Sequence, residues 1–78
     1  MNKLLIIVPQ NSLINSYLMN QFYVYEKIAD AEDVVYYKQI KQIGMSPMET
    51  ISRLVSTFML SDFSVSCNYG DYTFRVRS

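Results

Sequence analysis

The chain has no histidine and no tryptophan, and only one cysteine, two glycines and two prolines in its 78 residues. Without histidine, neither a Ser-His nor a Cys-His nucleophile pair can be assembled. A structural zinc site is excluded with one Cys and no His. Gly44 and Gly70 lie far apart, so no glycine-rich loop is available to cradle a phosphate. Cys67 is alone, which rules out an intramolecular disulfide and points to a reducing, cytoplasmic compartment. The apolar run at 4–8 stops at Pro9, too short for a transmembrane helix or a signal-peptide core. Seven basic residues balance seven acidic ones, so total charge carries no signature for nucleic acid or a membrane surface. These absences argue against an enzyme, a cofactor, a metal site and a membrane partner.

The residues that are present are largely apolar and aromatic. Half of them are hydrophobic, with seven Tyr and four Phe. A chain of this length forms one domain, residues 1–78, and buries roughly 60–65% of its unfolded surface. Some of the remaining apolar surface is therefore expected to meet another chain, and a homodimer is the simplest such assembly. Charge is also unevenly distributed: residues 1–33 carry a net of −2 and residues 34–78 a net of +2.

Along the chain, residues 3–8 read as a short buried strand or an extended arm, ended by Pro9, with Asn11 or Ser12 available to cap the next element. From Leu13, helical spacing places Ile14, Tyr17, Leu18, Phe22, Tyr25, Ile28 and Ala29 on one apolar face broken only by Gln21. The opposite face carries Asn15, Ser16, Met19, Asn20, Tyr23, Glu26 and Lys27, and predicts a helix over about 12–28. The β propensity of 22–25 favours a competing hairpin with 34–37. Pairing Ile28 with Val34, or sliding that register by one, gives no clean apolar face, which favours the helix. Residues 30–33 then form a polar link, Val34 and Val35 a short strand, and 36–43 a short helix closed by Gly44.

Residues 46–60 have the clearest helical pattern. Ser46 can cap, Pro47 suits the first turn, and Glu49 completes a capping box. Met48, Ile51, Leu54, Val55 and Phe58 line one side; Glu49 and Arg53 on the other side have favourable i, i+4 spacing. After it, Phe63, Val65 and Cys67 alternate with serines, and Tyr72, Phe74 and Val76 alternate with Thr73, Arg75 and Arg77. A two-residue turn at Tyr69 and Gly70 pairs Cys67 with Tyr72, Val65 with Phe74 and Phe63 with Val76, with all six on one face.

The run QIGMSPMETISRLV at 42–55 resembles the Gly-apolar-Ser/Thr … Thr-Val/Ile-Ser-Arg pattern of winged helix-turn-helix DNA-binding domains of bacterial and phage transcription regulators. The element order over roughly 34–77 is similar too. The resemblance implies an α+β winged helix-turn-helix fold of two to three helices and a C-terminal β-hairpin. Gly44 would be the turn glycine, 46–60 the recognition helix and 63–77 the wing. Double-stranded DNA would be the partner: Thr50, Ser52 and Arg53 would reach base edges, and Lys38, Lys41, Arg75 and Arg77 would reach phosphates or line the wing.

An independent reading rests on small size, neutral charge and tyrosine content. It takes the chain as a small α+β sandwich with an antiparallel sheet and two helices. The function is then a non-enzymatic protein-binding module or inhibitor acting on a host protein, of the kind that bacteriophages and mobile elements encode. Tyr23 and Tyr69 are its candidate contact residues, because tyrosine is enriched at binding hot spots.

Overall fold

Seven elements succeed one another in the computed structural model, which describes residues 3–41 and 45–77. They are strand β1 (Leu4–Pro9), helix α1 (Leu13–Asn20), strands β2 (Tyr25–Ala31) and β3 (Val34–Gln39), helix α2 (Pro47–Phe58), and strands β4 (Phe63–Asn68) and β5 (Asp71–Val76). The five strands make one sheet in the order β2-β3-β1-β5-β4. β1 is antiparallel to β3 and parallel to β5, so the sheet is mixed.

β1 takes the centre because its sequence, LLIIVP, carries no charge and can be buried on both faces. Leu4, Ile6 and Val8 point to one face, where they join Val35, Tyr37, Phe74 and Val76 from neighbouring strands. Ile14 and Leu18 of α1 and Ile51 and Leu54 of α2 complete the same core. Both helices therefore cover one face of the sheet. The other face is open to solvent. There Ile7 is only 6% exposed, since Tyr36 and Arg75 flank it in register.

Local chemistry sets the helix ends. Ser12 accepts the Asn15 N–H at 3.2 Å and donates to the Pro9 carbonyl at 2.6 Å, fastening the start of α1 to the end of β1. Ser46 caps α2 by accepting the Glu49 N–H at 3.2 Å, with Pro47 in the first turn. α2 ends at Met59, whose φ of 51° places a non-glycine residue in the left-handed cap position. In the β4–β5 turn, Tyr69 and Gly70 have φ of 53° and 84°, the pair of positive values that a tight twisted hairpin needs.

The architecture overturns the winged helix-turn-helix expectation. Residues 34–39 form strand β3 rather than the start of a helix over 36–43; positions 42–44 of that segment, Gly44 included, lie outside the described residues. No helix therefore runs through 34–39 to pack before α2 as a helix-turn-helix requires. The expected helix over 12–28 ends at Asn20, and 25–31 is strand β2, paired with β3. That hairpin escapes a sequence test because its register changes midway. Lys27 opposes Tyr37, but Ala29 opposes Tyr36, with a bulge at Ile28. No single register could satisfy both halves. The β4–β5 hairpin has the expected register throughout, yet it is no wing, since β5 is built into the sheet beside β1. The described residues form a small two-layer α+β fold with two helices, with a mixed sheet in place of the expected antiparallel one.

Candidate functional site

The residues expected to contact DNA are divided between opposite sides of the molecule. Lys38 opposes Leu5 and Arg75 opposes Ile7, which puts both on the open face of the sheet. Arg77 comes at the next outward position, its N–H bonded to the Asp62 carbonyl at 2.9 Å, and Lys41 lies just beyond β3. Thr50, Ser52 and Arg53 are on α2, on the far side of the sheet. A single duplex cannot touch both groups as a recognition helix and its wing do. Thr50 is also unavailable. It is 3% exposed, and its hydroxyl donates to the Ser46 carbonyl at 3.1 Å. Double-stranded DNA as the partner is thus not supported by the arrangement.

The expected ion pair between Glu49 and Arg53 does not form. Glu49 instead stays with its cap, where its carboxylate accepts from the Ser46 hydroxyl at 3.4 Å. The salt bridge among the described residues joins Lys27 to Asp30 at 3.0 Å on β2. Arg53 is exposed, and among the described residues no carboxylate pairs with it.

Arg53 borders a cleft of about 380 Å³ between the two helices. α1 contributes Tyr17 and its C-cap Gln21, the start of β2 contributes Tyr25, and α2 contributes Leu54, Thr57 and Phe58. One end is closed by the rings of Tyr17 and Phe58, edge to face with centroids 5.4 Å apart. Val24 and Tyr25 form the floor because both their N–H groups bond back to the Gln21 carbonyl at 2.9 Å, reversing the chain directly under the end of α1. Burial, and secondarily the nearby Tyr17, pushes the Tyr25 hydroxyl up to about 12, so it stays protonated at neutral pH and serves as a hydrogen-bonding group. The lining offers an aromatic and aliphatic wall, two phenols, an amide and one cation at the rim.

Phe22 and Tyr23 lie in sequence between the cleft residues Gln21 and Val24 without lining the cleft, their rings 5.9 Å apart and nearly perpendicular. Phe22 is 75% exposed. Leu13 and Met19 add further exposed apolar surface on α1. Tyr69, the other tyrosine expected to make contacts, is 97% exposed at the hairpin tip. It borders a different hollow, of about 340 Å³, with Lys3, Leu5, Ile28 and Lys38 on the open side of the sheet. Neither tyrosine lines the helical cleft: Tyr23 only neighbours it in sequence, between Gln21 and Val24, and Tyr69 lies at the hairpin tip.

Tyr17, Gln21 and Tyr25 were not singled out as contact residues by sequence. The signal was Gln21, the one polar interruption of an apolar face. It interrupts that face because it lines a cleft rather than the core. No helix of the described residues is long and apolar enough to cross a membrane. No family model, no curated protein and no solved structure matches the chain.

Proposed function

We propose that the chain is a small, non-enzymatic protein-binding module whose docking site is the cleft between α1 and α2. Its occupant is a segment of another protein that presents a carboxylate beside an apolar or aromatic side chain. The observation that carries this proposal is Arg53, unpaired among the described residues, on a cleft walled by Tyr17, Tyr25, Leu54 and Phe58. Arginine and tyrosine are the residue types that dominate binding energy at protein interfaces, above all where a pocket excludes water around them. An arginine fork also binds a carboxylate through two parallel hydrogen bonds. Phe22 and Tyr23, next to Gln21 in sequence, are exposed in the free protein and offer apolar area to be buried on binding.

A photo-reactive amino acid at position 23, used in an extract of the producing cell, tests the proposal. A discrete protein adduct should form, and Arg53→Glu should abolish it. The same probe at position 32, in the charged turn between β2 and β3, should give no such adduct. Equal labelling from both positions, or labelling at 23 that Arg53→Glu leaves unchanged, would refute the assignment.

A further inference from the structure

The two edges of the sheet are built differently. β2, at one edge, has the devices that discourage strand pairing: Glu26, Lys27 and Asp30 along its length, and the bulge at Ile28. β4, at the other edge, reads FSVSCN, with no charge, no proline and no register shift against β5. Such an edge is an open template for another strand.

The hairpin fixes which groups β4 presents. Asn68 and Asp71 flank the two-residue turn, and the Arg77 N–H bonds to the Asp62 carbonyl at the opposite end. Hydrogen-bonded and non-bonded pairs alternate between these ends. Asp62, Ser64, Ser66 and Asn68 therefore bond inward to β5, and Phe63, Val65 and Cys67 turn their N–H and C=O groups outward. The side chains of these three lie on the helix-bearing side of the sheet, where α2 does not cover them. Phe63 and Val65 are each 37% exposed, and Cys67 is exposed.

We infer that β4 pairs antiparallel with β4 of a second copy of this chain, about a two-fold axis at Val65, to make one continuous ten-stranded sheet. Self-complementarity sets the register. With Val65 opposite Val65 of the second copy, Phe63 meets Cys67 of the second copy, and every outward N–H and C=O on the three residues finds a partner. Shifting the axis to Ser64 or Ser66 leaves one of the three without its opposite number within β4. The Val65 register also aligns the three apolar side chains in one seam on the helix side. On the open side it sets Ser64 against Ser66 and Asp62 against Asn68, so no like charges face each other. The surface is separate from the helical cleft, so either assignment can fail alone.

Sedimentation equilibrium on the full chain tests the interface. The wild type should show a concentration-dependent dimer. Val65→Lys, which sets two ammonium groups face to face on the axis, should be monomeric with an unchanged circular dichroism spectrum. Ile28→Lys on the opposite edge should leave the dimer intact. Register is read by mild oxidation. Val65→Cys in a Cys67→Ser background should form a covalent dimer, because hydrogen-bonded antiparallel partners have Cα atoms about 5.5 Å apart, within disulfide reach. The wild type, whose Cys67 faces Phe63 of the second copy, should not. A monomeric wild type at all concentrations, a dimer that survives Val65→Lys, a dimer dissolved by Ile28→Lys, or cross-linking through Cys67 as efficient as through position 65 would overturn the inference. So would a photo-probe at 65 that captures only a different protein.

Discussion

Replacing Tyr37 with phenylalanine removes one oxygen atom and should cost this protein a measurable share of its stability. Tyr37 sits on β3 beneath α1, and its hydroxyl donates to the side-chain carbonyl of Asn15. The Asn15 amide in turn donates to the Gln10 carbonyl at 2.7 Å. Asn15 is buried, so this chain of bonds satisfies a polar side chain on the inward face of α1. In Tyr37→Phe the ring still fills its place, but the Asn15 carbonyl is left in the core without a donor. Stranding a buried polar group costs about 1–3 kcal/mol. For a domain near this size, each 1 kcal/mol lowers the melting temperature by roughly 4–8 °C. Thermal unfolding followed by circular dichroism should therefore show a drop of roughly 8–16 °C for a loss of about 2 kcal/mol. A double-mutant cycle sharpens the test. Once Asn15→Ala has removed the acceptor, Tyr37→Phe should cost less than it does alone, with a coupling of at least about 0.5 kcal/mol. A single-mutant loss below about 0.5 kcal/mol, or additive effects, would show that Asn15 finds another donor and that the network does not hold α1 on the sheet.

Tyr25 predicts alkaline behaviour. Its hydroxyl lies at about 12 in the folded protein against the ordinary 10.0, so its contribution to stability is full below pH 10 and is lost as pH rises toward 12. Denaturant titrations should show stability falling across that window, and Tyr25→Phe should flatten the fall. Burial raises Tyr37 in the same direction, so some alkaline loss should persist in that variant. Ser46→Ala should destabilise the fold by about 1 kcal/mol in chemical denaturation by removing the cap of α2. An unchanged midpoint would mean that the Glu49 N–H is satisfied without it.

Several features could be read directly from residues. The β4–β5 register was legible because each position agrees with it, and the Ser46 cap of α2 because Ser46 and Pro47 form a local signal. Glu49 accepts from the Ser46 hydroxyl rather than closing a full capping box on the Ser46 N–H. An extended segment at 3–8 was legible from its uncharged apolar run, but not that it would be a strand at the centre of the sheet. Three features were hidden. The bulge at Ile28 concealed the β2–β3 hairpin by splitting its register. Asn15 fell on the polar face of a helical pattern that ran too long, and its burial depends on Tyr37, 22 residues away. Met48, placed on the inward side of α2, is exposed, whereas Thr50 is buried; the helix turns Thr50 inward where its hydroxyl can reach the Ser46 carbonyl.

The amino-acid sequence by itself determined the elements whose causes are local: the capped helix α2 and the terminal hairpin. For these, interactions within a few residues or across a two-residue turn suffice; β1 is marked only by its uncharged apolar run, since its partners β3 and β5 lie far away in sequence. Only tertiary structure decided that β5 would lie parallel to β1, that both helices would share one face, and that Arg53 and Arg75 would end on opposite sides of the sheet. Those outcomes depend on how one layer of apolar surface is buried against another. A short motif at 42–55 carries no information about that choice, and so the resemblance to a DNA-reading helix did not survive the sheet on which the helix lies.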